Sequence, residues 1–123
     1  MEDPDRLAPH LKVSIEEADA ATRVVVLRGE LDVATVPAFR DALNPLADDE
    51  TVQCIVVDLV EVTFIDSTGL GVLVKSHRTA EGTGAQFAVV HPTRQTRKLI
   101  RVLGLDQLLY VYDNQEQALS DTA

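Results

Sequence analysis

The run Val52-Gln53-Cys54-Ile55-Val56-Val57-Asp58-Leu59 constrains the fold more than any other stretch of the chain. It is rich in β-branched residues and nearly continuous in apolar ones, as expected of a strand covered on both faces. Such a strand belongs inside a largely parallel sheet with a layer on either side. The segments before it agree. Leu11, Val13 and Ile15 alternate with polar residues in "LKVSIEE", the period of a half-buried strand, and "RVVVLRGEL" supplies a second, more buried strand. Too few residues separate these two for a helical crossover, so they must pair antiparallel.

The period then changes. In "DVATVPAFRDALNPLADDE", Val36, Phe39, Leu43 and Leu46 recur at three- and four-residue steps, the mark of one helix face. Thr35 is placed to cap this helix, Pro37 falls in its first turn, and Pro45 is expected to kink or end it. A second helix opens at Asp66 and runs to about Glu81, "GTGA" turns the chain, and "QFAVV" reads as a strand. "HPTRQTRKLIRVLG" is a third helix, with Thr93 as N-cap and Gly104 as its stop. A short strand in "LLYVY" precedes "DNQEQAL", where Asp113 and Glu116 have the spacing of a capping box.

Strands alternating with helices after an initial hairpin predict an α/β fold: one domain over residues 11–120, with a mostly parallel sheet of four to five strands, an antiparallel N-terminal edge and about four helices. Residues 1–10, "MEDPDRLAPH", read as a mobile tail, acidic and proline-broken, unlike a secretory signal. No apolar run approaches the roughly 18 residues of a membrane span. A cytoplasmic protein is expected.

Composition excludes several functions. Twenty acidic residues against 11 basic ones give a formal net charge of −9, which opposes broad binding to nucleic acid or anionic membranes. Cys54 is the only cysteine, so no internal disulfide or cysteine-based zinc site is expected, and it reads as a small buried hydrophobe. His10, His77 and His91 are too scattered to suggest a metal site. "GLG" at 69–71 lacks the third glycine of a dinucleotide fingerprint, since Val74 holds that place, and no Walker lysine follows. Ile65 stands where a nucleophile elbow needs glycine, and no Asp-then-His order follows Ser67. Asp58 resembles the phosphoacceptor of response-regulator receivers, but the early acidic pair of that fold is missing, so Asp58 is read as structural. The chain is not expected to be an enzyme or to carry a cofactor or metal.

Attention therefore falls on "TFIDSTGLGVLV", residues 63–74, where an acid and two hydroxyls separate two apolar segments. Asp66, Ser67 and Thr68 are all good helix starters, because their oxygens accept orphan backbone N–H bonds. Two glycines, Gly69 and Gly71, follow in the first turn at about 1 kcal/mol each relative to alanine, where side chains would otherwise crowd any group approaching the helix end. A helix start also favours negative charge, so a phosphate on Ser67 would be tolerated there. Leu70, Leu73, Val74 and His77 share one face, which places Gly71, Val72 and Lys75 on the opposite, solvent side as a docking rim. On the third helix Arg94, Arg97, Lys98 and Arg101 form a basic stripe, read as a solvated face opposite Leu99, Ile100 and Leu103 that could also steer an acidic partner.

"FIDSTGLGVLV", with "GELDVAT" at 29–35 and "TRKLIRVLGLDQLLYVYDNQEQAL" at 96–119, resembles the STAS family, and within it the bacterial anti-sigma-factor antagonists. The resemblance covers nearly the whole chain from Leu11. It implies that Ser67 is phosphorylated by an anti-sigma factor that is also a serine kinase, and that a serine phosphatase reverses the modification. Unphosphorylated antagonist would bind that kinase and free the sigma factor. Asp66, Asp32, Thr68 and Gly69 would form the surroundings of the phosphosite, with Thr68 the rival hydroxyl. Asp32 is either part of that site or a cap of the first helix, and Asp66 is expected to cap and orient. A monomer or weak dimer is expected. The competing reading is a constitutive STAS subunit of a sensor scaffold or lipid-transport complex, in which Ser67 only caps.

Overall fold

The structure, a computed structural model, describes residues 10–122. Five strands form one sheet: β1 (Leu11–Asp19), β2 (Thr22–Leu31), β3 (Cys54–Ile65), β4 (Gln86–Val90) and β5 (Tyr110–Tyr112). They lie side by side in chain order; β1 and β2 pair antiparallel and every later pair is parallel. The helices are α1 (Val36–Ala47), α2 (Ser67–Gly82), α3 (Arg94–Val102) and α4 (Gln115–Thr122), with a 3-10 turn at Leu105–Gln107. The α/β reading of the sequence therefore holds, with the antiparallel edge where it was expected. The expected tail lies outside the described residues except for His10, whose carbonyl already accepts a bond from the Glu30 amide at 2.7 Å.

The central run behaves as its composition requires. Val25, Leu27, Ile55, Val57 and Leu59 face a large core shared with Phe39 and Leu43 of α1, Leu70 and Leu73 of α2 and Ile100 of α3. Val24, Val26, Cys54, Val56, Ala88 and Val90 face a smaller core closed by Ala118 and Leu119 of α4. Asp58 lies on this second side, only 3% exposed. Its carboxylate accepts from the Val60 amide at 2.9 Å and from Gln115 Nε2 at 2.7 Å, and its Oδ1 lies 3.0 Å from His91 Nδ1. It thereby ties β3, the end of β4 and α4 together. The Tyr112 hydroxyl donates to Asp121 and also secures α4. Burial, helped by that carboxylate, pushes the phenol up to about 12.

Three local expectations need correction. Of the kink or end expected at Pro45, the end does not occur: α1 continues to Ala47, where the Asp48 amide still reaches the Asn44 carbonyl. Asp41, whose carbonyl loses its intrahelical donor to Pro45, is exposed, and water can take that donor's place. The box at the start of α4 lies one residue later than the sequence suggested: Asn114 Oδ1 accepts from the Gln117 amide at 2.9 Å, and Gln117 Oε1 accepts from the Asp113 amide. Thr35 stands at the N-cap of α1, but its side chain makes no cap bond. Thr93 caps α3 as expected, accepting from the Thr96 amide at 3.1 Å. Gly104 takes the left-handed backbone just past that helix, at φ 72°.

β3 outruns its neighbour. Its ladder with β4 stops at Asp58–Val90, while its pairing with β2 continues to Leu31–Ile65. The ends of β2 and β3 thus project together, and the candidate site is built on them.

Candidate functional site

Because Leu31 and Ile65 are paired neighbours, the residues that follow them, Asp32 and Asp66, leave the sheet side by side. The Asp66 amide donates to the Leu31 carbonyl at 3.3 Å, which holds the two turns together. Asp66 is the N-cap of α2: its backbone is extended, and its Oδ1 accepts from the Gly69 amide at 2.8 Å. The Asp66 carbonyl accepts from the Leu70 amide at 3.0 Å. Ser67 and Thr68 are the first two helical residues and are both exposed. Among the described residues neither hydroxyl has a hydrogen-bond partner, nor do their amides, the orphan donors every helix start leaves. Asp66 therefore caps, as expected, and does not bond Ser67.

Asp32 is half-buried and caps the entry turn of α1, its Oδ1 accepting from the Ala34 amide at 3.0 Å and the Thr35 amide at 3.2 Å. The capping reading of Asp32 is thus the one its hydrogen bonds show, and its carboxylate sits at the same end of the sheet as Asp66.

The glycines divide. A Cβ on Gly69 would stand 2.5 Å from the Leu31 carbonyl oxygen and 2.9 Å from Ile65 Cγ1, far inside contact distance. Gly69 is thus required by the close approach of α2 to the end of β2. A Cβ on Gly71 would meet nothing within 4 Å. The expectation that both glycines clear the way for an incoming group is corrected at Gly69, which is buried under the helix start. Gly71 and Lys75 are exposed as expected.

Val72 is the larger correction. It is only 4% exposed and belongs to the main core, because α2 is covered from below by the sheet and from the side by α1. A helix with two covered flanks buries more than one stripe, and Val72 faces the second. The exposed apolar side chains along these two turns are instead Val33, 70% exposed just after Asp32, and Phe64, 51% exposed two residues before Asp66. Phe64 went unnoticed because it reads as part of a buried strand. Its exposure follows from β3 outrunning β4.

On α3, Arg97 is held by Asp113 at 2.6 Å, while Arg94, Lys98 and Arg101 are exposed. His77 is buried on α2, its Nε2 2.9 Å from Glu81 Oε1. Among the described residues no cluster of three or more His, Cys, Asp or Glu side chains could hold a metal ion. No described helix is long and apolar enough to cross a membrane.

Comparison with known proteins places this geometry. The family model described as "Mlab, STAS domain" matches residues 14–110. The anti-sigma-B factor antagonist of Staphylococcus aureus (strain NCTC 8325 / PS 47) is 33% identical over 92 residues, covering 75% of this chain and 84% of that protein. The crystal structure of an anti-sigma factor antagonist from Mycobacterium paratuberculosis superposes with a TM-score of 0.84 at 30% identity, covering 99% of this chain and 98% of that one. The Bacillus cell fate determinant SpoIIAA in its phosphorylated form shares the fold, with a TM-score of 0.70 at 23% identity over 91% of this chain and all of that one. The chain belongs to the STAS-domain family, alongside the anti-sigma-factor antagonists it resembles.

Proposed function

We propose that this protein is an anti-sigma-factor antagonist switched at Ser67. Unmodified, it binds an anti-sigma factor with serine kinase activity and frees the sigma factor; phosphorylated, it does not bind until a serine phosphatase restores the hydroxyl. The observation that carries this reading is the Ser67 hydroxyl itself, exposed and without a partner among the described residues, at the first position of a helix whose cap Asp66 already provides. A residue needed only to cap would have its oxygen engaged.

Phosphorylation adds about −1.5 to −2 charges at neutral pH. On Ser67 they meet the orphan amides and positive end of α2, worth roughly 0.3–1 kcal/mol at an exposed site. The fold would tolerate the phosphate. A partner fitted to the bare hydroxyl, with Asp32 and Asp66 close by, would instead meet bulk, desolvation and added negative charge. Such juxtapositions cost several kcal/mol, and each 1.4 kcal/mol is about tenfold in affinity.

The test is to incubate the protein with its kinase-type anti-sigma factor and ATP and map added phosphate by mass spectrometry. Phosphate on Ser67 is expected, with binding to the anti-sigma factor reduced about a hundredfold or more in Ser67→Asp. An unmodified Ser67, or full binding by Ser67→Asp, would favour the constitutive subunit instead.

A further inference from the structure

α1 and α2 lie side by side on the sheet, and the gap between them does not close. It leaves a groove of about 140 Å³ floored by Leu43, Val72, Ala80 and Phe87, with Arg40 on the α1 rim and Lys75 on the α2 rim. Its hydroxyls do not compete for a ligand's hydrogen bonds: Ser76 donates to the Val72 carbonyl at 2.7 Å and Thr79 to the Lys75 carbonyl at 3.0 Å. Sites for whole small molecules are larger, roughly 300–1,000 Å³. The space resembles engineered cavities of about 150 Å³ that take a single benzene ring. One side chain or one ring fits.

The rim specifies the rest. Among the described residues neither Arg40 nor Lys75 has an ion-pair partner, although the chain carries a net charge of −9. Two free cations across an apolar slot complement an apolar group flanked by carboxylates. Lys75 lies eight residues beyond Ser67 on α2, about 12 Å along the helix axis. A protein engaging Ser67 at one end of α2 can therefore reach the groove.

We propose that this groove is the anchor pocket for the antagonist's protein partner: it receives one apolar side chain, of the size of Phe, Leu or Met, from a segment whose neighbouring residues are acidic. The identity of that partner rests on the function proposed above; the chemistry of the groove does not. Buried anchors of this kind carry much of the energy of protein interfaces.

The isotope-labelled chain is titrated with 3-phenylpropionate and with its cationic counterpart 3-phenylpropylammonium, followed by amide NMR. The carboxylate is expected to shift amides within residues 40–47 and 72–80 and to bind about fivefold more tightly than the ammonium. General attraction to so acidic a chain would favour the ammonium. Arg40→Glu with Lys75→Glu, both at exposed positions, should erase that preference at unchanged Tm. The same double variant should weaken anti-sigma factor binding about tenfold, less so at high salt. Shifts elsewhere, a preference for the ammonium, or full partner affinity of the double variant would overturn the proposal. Ser67→Asp reports separately on the switch. If it binds fully while the double variant does not, the switch falls and the groove stands; the reverse pattern removes the groove and keeps the switch.

Discussion

Two strand-to-helix junctions leave the same end of the sheet, and they use their hydroxyls in opposite ways. Between β2 and α1, Thr35 is 2% exposed, and its hydroxyl donates to the Glu30 carbonyl at 2.8 Å and accepts from the Asp32 amide at 2.9 Å. Between β3 and α2, Ser67 and Thr68 are exposed, and their hydroxyls make no hydrogen bond among the described residues. Each junction has an aspartate whose side chain bonds nearby backbone amides. The chemistry of the residues is alike; the difference is that one hydroxyl holds its turn together and the other holds nothing. A phosphate on Thr35 would break two bonds in the interior. On Ser67 it would break no hydrogen bond among the described residues, so of the two junctions the second is the one suited to the mark proposed above.

The contrast is most exposed at Gly69. Gly69→Ala would drive a methyl group into the backbone of Leu31, and backbone cannot swing aside as a side-chain tip can. A loss of about 1–3 kcal/mol or more is expected, read as a lower denaturant midpoint. Gly71→Ala, with open space around its new carbon, should instead gain up to about 1 kcal/mol from helix propensity. If both variants shifted the midpoint in the same direction, the close docking of the second junction against the first would be wrong.

Thr35→Val comes next. It keeps the shape but removes a buried donor and acceptor, leaving the Asp32 amide and Glu30 carbonyl each short of a partner. A cost of about 1–3 kcal/mol is expected by thermal or chemical unfolding. A variant as stable as the parent would mean that water replaces the hydroxyl and that the two junctions differ less than their geometry implies.

The layered architecture was legible in the sequence because hydrophobic period reports directly on burial: β3 had to be covered on both faces, and it is. The aspartate cap of α2 was legible too, since capping is local chemistry. What the sequence could not carry is which flank of α2 lies against a neighbour. Val72 looked solvent-facing as long as α2 was given a single buried stripe, and only the position of α1 beside it makes a second. Phe64 and Val33 escaped for the converse reason. Their exposure depends on where β4 stops and how the turn after β2 runs, neither of which leaves a periodic trace. Gly69 and Gly71 look equivalent in the sequence, because a glycine demanded by another strand's carbonyl resembles one that faces open space.

The smallest expected effect bears most directly on function. Ser67→Ala removes a hydroxyl that makes no hydrogen bond among the described residues, at a helix start where Asp66 supplies the cap. Its unfolding free energy should stay within about 0.5 kcal/mol of the parent, as for surface substitutions that break no named interaction. Phosphate incorporation by the kinase should nevertheless vanish, and binding to the anti-sigma factor should persist in the presence of ATP. Loss of about 1 kcal/mol or more would show that the hydroxyl was capping after all. The two junctions would then be alike, and Ser67 would be a structural residue that happens to face water.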